Sequence, residues 1–405
     1  MAINLSFTQL IEIAEEFGTP VYVYHAEKIA SQYQKLKAAF KRQNVQFFYA
    51  SKALTNINIL KYIKSIGSNV DCSSINEVKL AMHAGFTPDQ ILYTSNGIDF
   101  SEIEEAADLG VHINIDSLSN LEKFGKKYHH SYPVGIRWRP NILAGGNLKI
   151  STGHDKSKFG IPVDQLGEVL EIVEKNDLHI QAIHIHTGSE IKDVDIFAKG
   201  IEILFQLSVH FPELEIIDLG GGFKVPYQEN DSETDITLLS EKVEELFNCH
   251  FKETGKNYQI WFEPGKYLVS EAGYFLARVN VLKPGSTTVF AGINSGFNHL
   301  VRPMFYDAFH RIENISNEKG VFKNYSIVGN ICETDTFAWE RKITEITEGD
   351  YLVFYNAGAY GFEMASNFNS RFKPSEVMVK NGKAKLIRKG DNFDDLLRNQ
   401  VEVEW

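Results

Sequence analysis

What most limits the fold of this chain is a repeated alternation of short apolar runs with helical patterns. The runs are Val45–Ala50, Ser68–Cys72, Gln90–Thr94, His112–Asp116, Pro133–Trp138, Gln181–His186, Glu215–Leu219 and Tyr258–Phe262, each ending in polar or glycine residues. Segments of this length and apolar content read as buried strands. Between most of them lie helix-period stretches, such as Ile75–Ala84, Ser101–Leu109, Val163–Lys175 and Leu238–Lys252. Strand and helix alternate eight times over roughly 220 residues, the size and pattern of a (β/α)8 barrel.

After about residue 275 the helical period fades. Gly273–Val281, Thr287–Phe290, Asn324–Val328 and Asp350–Asn356 read as antiparallel strands joined by glycine and asparagine turns. Pro20–Tyr24 reads as a strand that precedes the barrel. The expected fold class is therefore α/β: a (β/α)8 TIM-type barrel plus a mainly β second domain to which the N-terminal strand contributes. The expected boundaries are 27–275 for the barrel, with 1–26 and 276–405 forming a discontinuous β domain that completes the active site.

The net charge of −12 argues against nucleic acid as a partner, since phosphate backbones are held by basic patches. Cys72, Cys249 and Cys332 are far apart and form no C-x-x-C pair, which argues against a disulfide framework or a structural zinc. Residues 1–17 lack the basic start and apolar core of a signal peptide, and no apolar run has the length of a membrane span. The expectation is a cytoplasmic protein with a small-molecule substrate, no nucleic-acid or membrane partner and no metal.

Barrel enzymes of this kind carry their chemistry at the C-terminal ends of the strands. Those ends hold Ser51-Lys52, Asp71-Cys72-Ser73-Ser74, Arg137, His184-Ile-His186-Thr-Gly-Ser189, Asp218-Leu-Gly220-Gly221-Gly222 and Glu263-Pro264-Gly265-Lys266. Taken singly, each has a plain reading. Lys52 would be a solvated cap, Glu263 a loop acid, and the glycines a flexible turn. Together they suggest more. A lysine partly withdrawn from water can form a Schiff base. A glycine triplet lets backbone N–H groups cradle a phosphate, although the dinucleotide spacing G-x-G-x-x-G is absent. His184 and His186 share a strand face; a metal is possible there, but no third ligand is obvious.

In chain order, Tyr49-Ala-Ser-Lys52-Ala, Asp71-Cys-Ser-Ser, His186-Thr-Gly-Ser189, Gly220-Gly-Gly, Glu263-Pro-Gly and Cys332-Glu-Thr-Asp335 resemble the pyridoxal-phosphate decarboxylases built on the alanine-racemase-type barrel. The likeness spans nearly the whole chain. Asn294–Tyr306 and Asn356-Ala-Gly-Ala-Tyr360-Gly are similar to the branch that acts on diaminopimelate. The resemblance implies pyridoxal 5'-phosphate as cofactor and decarboxylation of meso-diaminopimelate to L-lysine and CO2. It implies that Lys52 holds the cofactor as a Schiff base. His186 would stack on the ring, Glu263 would pair with the pyridine nitrogen, and Arg137 would lie near the phenolic oxygen. Asp71 would belong to the same cofactor site. Ser189, Gly220, Gly221, Gly222 and Tyr360 would hold the phosphate.

The resemblance makes Cys332 one candidate for the proton donor, with Lys52 the other. Arg302, Tyr306 and Glu333, together with Tyr360 and Lys266, would select the substrate, Arg302 by taking its distal carboxylate. Arg302 and Tyr306 are four apart and would share a helix face. The family assembles as a homodimer in which Cys332 and Glu333 reach the partner's site. The usual Glu-Pro-Gly-Arg here ends in Lys266, a point charge in place of a bidentate fork. The alternatives are a carboxynorspermidine or other polyamine-pathway decarboxylase, and a non-catalytic pyridoxal-phosphate-binding homologue.

Overall fold

The structure, a computed structural model, describes residues 4–41, 44–142, 157–228 and 230–405. The chain divides into two compact units: Ser31–Val225 with Ser232–Leu268, and Met1–Ala30 with Pro226–Asp231 and Val269–Trp405.

The first unit is a closed barrel of eight parallel strands: Val45–Ala50, Asn69–Cys72, Ile91–Thr94, His112–Ile115, Val134–Arg139, Ile180–Ile185, Ile216–Asp218 and Gln259–Phe262. The last strand returns to the first, with Ile260 opposite Val45 and Phe262 opposite Phe47. Helices begin where a short polar side chain accepts from an otherwise unpaired backbone N–H. Asn56, Ser74, Asp99, Ser117, Asp193 and Asp235 all do this. The expected helix Val163–Lys175 opens instead with a 3-10 turn, Val163–Gln165, and is α-helical over Leu166–Asn176.

Side chains alternate along a strand, so inward residues stack in layers across the barrel. At the N-terminal end the layer is polar: Asn69 Nδ2 donates to Gln46 Oε1 (2.9 Å), and Gln46 Nε2 to Gln259 Oε1 (3.1 Å). Above it Phe48, Leu92, Ala182, Ile216 and Trp261 form a buried apolar plug, with the Phe48 and Trp261 rings 4.3 Å apart. One step of two residues further along the strands lie His184, Asp218 and Glu263, with Arg137 on the strand beside His184 and Asp71 on the second strand. The plug shuts the barrel floor, and the period of two places these titratable groups together above it.

The second unit is a mixed sheet. Its main path runs Thr336–Thr344, Phe322–Val328, Val289–Ile293, Gly273–Pro284, Val21–His25, Ser375–Lys380, Lys383–Arg388. The N-terminal strand does enter this sheet, and all five of its residues are buried. The helix Phe7–Phe17, capped by Ser6 and Gln9, packs Leu10, Ile13 and Ala14 onto Val21, Val23, Leu276, Val353 and Val377. The expectation of antiparallel pairing needs correction at one place: Val289–Ile293 runs parallel to Phe322–Val328. Val21–His25, for which no direction was expected, runs antiparallel to Gly273–Pro284 and parallel to Ser375–Lys380. Parallel neighbours need long crossovers, and the long intervening segments provide them.

Candidate active site

Each catalytic side chain at the barrel mouth is placed by a strand end. Lys52 sits in the 3-10 turn Ser51–Ala53 directly after the first strand. Its Nζ lies 3.0 Å from Asp71 Oδ2, contributed by the second strand. Asp71 is fully buried. Burial, and then the charge of Glu263, push its carboxyl up to about 7 against the pull of Lys52. Arg137, from the fifth strand, is buried, with its guanidinium 4.8 Å from the Phe159 ring centroid. Its electrostatic partners are Glu263, Asp116, Asp71 and Asp218.

Glu263 ends the eighth strand and lies 3.4 Å from His184 Nε2, with no hydrogen bond to its own Oε1. Burial alone would raise this carboxyl, but His184 and Lys52 outweigh it and hold Glu263 below its ordinary range. Asp218 goes the other way, raised by burial and by the Glu263 charge. The site thus keeps one firmly ionised carboxylate among three acids, facing the cations Lys52 and Arg137.

His186 is pushed down to about 3, by burial and then by Arg137, so its imidazole is neutral. The N–H of Gly221 donates to His186 Nδ1 at 3.1 Å. That bond makes Nδ1 the acceptor and leaves the ring proton on Nε2. Gly220 N–H donates to Asp218 Oδ1 (2.9 Å), so two of the three N–H groups are already engaged. The triplet is glycine for a steric reason. A Cβ on Gly221 would stand 2.2 Å from the Glu263 carbonyl oxygen, and one on Gly222 would stand 2.3 Å from that of Gly188. Ser189 follows on the same mouth, half-buried.

Lys266, buried, is paired with Glu190 Oε1 at 2.8 Å, and Glu190 has a left-handed φ of 63°. Glu190 was outside the expected set. It is 76 residues from Lys266, and no spacing signal joins them. His184 and Asp218 were legible as strand-end residues but had no assigned task. With Glu263 they bring one ligand-type atom each within 4.8 Å of one another, a group that does not include His186.

The remaining expected residues belong to the second unit. Arg302 starts the short helix Arg302–Tyr306 and is buried, while Tyr306, four residues on, is half-buried. Arg302 donates to Ala359 O (3.3 Å) and Tyr227 Oη (3.2 Å), and its Nε has no partner. Among the described residues no carboxylate lies in ion-pair range of it. Tyr360 has a left-handed φ of 55°, strained for a bulky residue. Cys332 and Glu333 are exposed. Asn369 brackets Cys332, accepting from its N–H (2.8 Å) and donating to its Sγ (3.0 Å). The backbone carbonyl of the buried Asp335 accepts from Gly329 N–H (2.9 Å) and its own N–H donates to Glu333 O (2.9 Å), which ties down the loop that carries Cys332.

A lysine amine, a buried ionised acid, a neutral imidazole and a buried guanidinium around a glycine-walled cradle form a donor set suited to a pyridine aldehyde phosphate. A family model, "Pyridoxal-dependent decarboxylase, pyridoxal binding domain", matches residues 26–270. The chain belongs to the pyridoxal-dependent decarboxylases. It is similar to the diaminopimelate decarboxylase of Methanothermobacter thermautotrophicus, 38% identical over 402 residues, covering 96% of this chain and 93% of that one. The Campylobacter jejuni diaminopimelate decarboxylase is 33% identical, covering 95% and 96%. Among solved structures, Helicobacter pylori diaminopimelate decarboxylase complexed with L-lysine aligns with a TM-score of 0.87 at 30% identity, covering 96% of this chain and 98% of that one.

Proposed function

We propose that this chain removes a carboxyl group from meso-diaminopimelate, giving L-lysine and CO2, the last step of lysine biosynthesis, with pyridoxal 5'-phosphate as cofactor. The single observation that carries the chemistry is that one barrel mouth holds the Lys52 amine, paired with Asp71, together with the buried acid Glu263. The relatives' names and the L-lysine in the Helicobacter pylori structure support the substrate.

Bound there, the cofactor supplies an aldehyde to capture an amine and a ring to accept the electron pair that CO2 leaves behind. Lys52 holds it, and Asp71 keeps the Lys52 amine in place. Glu263 faces the pyridine nitrogen. The neutral, tautomer-fixed His186 offers a flat uncharged face to the ring. Arg137 faces its phenolic oxygen. Ser189, Gly222 and Tyr360 hold the phosphate. Lys266 serves an anion only in competition with Glu190.

Arg302 takes the distal carboxylate of the substrate. A buried guanidinium with no acid partner is costly, and a substrate carboxylate would satisfy it. Glu333 takes the distal ammonium, and Tyr306 lines the same end. Cys332 and Lys52 are the groups able to return a proton to the α-carbon. The exposure of Cys332 and Glu333 on a single chain supports a homodimer in which each chain lends them to the other. Among the described residues no helix is long and apolar enough to cross a membrane.

The test is CO2 release by the cofactor-loaded protein from meso-diaminopimelate, ornithine, arginine, lysine and carboxynorspermidine. Release from diaminopimelate alone, abolished in Lys52→Ala, is expected. Release only from a polyamine precursor, or wild-type turnover in the loaded variant, would refute the proposal.

A further inference from the structure

The roles above leave Asp218 unused, although it is fully buried in the barrel mouth. Its Oδ1 accepts from Gly220 N–H at 2.9 Å, while its Oδ2 has no donor. Glu263 Oε1, beside it, has none either. The two acids and His184 bring ligand-type atoms within 4.8 Å of one another, and all three are buried. Two carboxylates so close in a buried site cannot both stay ionised. One proton resolves both orphaned oxygens at once, provided it lies between them.

We infer that Asp218 is held as a neutral carboxylic acid whose Oδ2–H donates to the Glu263 carboxylate, making Asp218 a positioning residue for Glu263. The geometry decides which acid keeps the proton. Glu263 faces the cations, Lys52 from the first strand end and Arg137 from the fifth, and the His184 imidazole on the sixth, kept neutral by burial, lies 3.4 Å from its Oε1. Asp218 has only one backbone N–H on Oδ1, the arrangement of a protonated carboxyl whose carbonyl oxygen accepts and whose hydroxyl donates. Asp71 on the second strand and His186 on the sixth complete the titratable surroundings. The shared proton fixes one Glu263 oxygen and leaves the other to the ring nitrogen. That consequence rests on the role proposed for Glu263; the protonation of Asp218 does not.

Infrared spectra of the full chain, labelled with 13C-aspartate and free of cofactor, test this directly. At pH 8.5 Asp71 is mostly ionised, so a protonated-carboxyl band that shifts with the label reports Asp218. The band is expected in the wild type and lost in Asp218→Asn. If that variant fails to fold, the labelled wild-type spectrum still decides. An asparagine amide would keep a donor beside Glu263 and an alanine methyl would not. Asp218→Ala, but not Asp218→Asn, should therefore raise the pH at which Glu263 takes up a proton. One lost hydrogen bond to a charged group corresponds to about one to two pH units. A wild-type spectrum without the band overturns the inference. So does one equivalent of divalent metal retained through dialysis and lost in Asp218→Asn, since a cation would then join the three residues. A present band, with cofactor affinity and absorbance indifferent to Glu263→Gln, would sustain the shared proton and remove only the ring-nitrogen role of Glu263.

Discussion

Replacing Asp71 by asparagine should stabilise the cofactor-free barrel in a strongly pH-dependent way. Asp71 ionises near 3.8 in an exposed chain and near about 7 in the fold, because burial and Glu263 disfavour its charge more than Lys52 favours it. A folded pKa above the unfolded one means that the fold holds a proton the unfolded chain has already released. The stability from this group is therefore complete below pH 4 and is lost as pH rises to about 7. At 1.36 kcal/mol per pKa unit, the full penalty above pH 8 is about 4 kcal/mol, of which about 3 kcal/mol develops between pH 5 and 8.5. Asparagine has no such proton to lose, so the advantage of the variant should grow by that amount over the same range.

Chemical denaturation read by tryptophan fluorescence measures this. Trp138 and Trp261 are buried in the barrel, while Trp339 and Trp405 are exposed in the other unit. Replacing the latter two by phenylalanine makes the signal report the barrel. A stability difference between Asp71→Asn and the wild type that stays flat from pH 5 to 8.5 would refute the electrostatic account of the Lys52–Asp71–Glu263 group.

Two further outcomes are expected. Gly221→Ala places a Cβ 2.2 Å from a backbone oxygen of Glu263, an atom with no rotamer to escape into. It should cost about 3 kcal/mol or more, the upper range for overpacking, and weaken cofactor binding; an unchanged denaturation midpoint and cofactor affinity would contradict the reading of the triplet as a steric cradle. Arg302→Ala should raise KM for diaminopimelate roughly ten- to a hundredfold, the worth of a charged hydrogen bond at about 1.5–3 kcal/mol, with kcat less affected. Unchanged kinetics would end its role at the distal carboxylate.

Much of the site could be read in the sequence because a strand has a period of two. Once Gln259-Ile-Trp-Phe is a barrel strand and Trp261 points inward, Glu263 must follow it to the mouth, and the same logic carries Ile216 to Asp218 and Ala182 to His184. The helix starts were equally local, since Ser74, Ser117 and Asp235 cap whatever helix follows them. The N-terminal strand was legible as a strand because its apolar run is continuous.

Contacts between strands were not legible. Lys52 meets Asp71 across 19 residues of sequence, and Lys266 meets Glu190 across 76. Which backbone N–H groups of the glycine triplet remain for a ligand depends on His186 and Asp218 lying alongside, not on the motif. The parallel pairings in the second unit depend on how long segments cross over, which composition does not record. Above all, the ionisation of each acid comes from burial and neighbouring charge, which exist only when the barrel has closed. The barrel, the face of each strand residue and the cofactor-type chemistry follow from the order of residues alone. Which of Asp71, Asp218 and Glu263 bears the charge was settled by the closed fold, because three acids share one buried space and each meets a different balance of burial and neighbouring charge there.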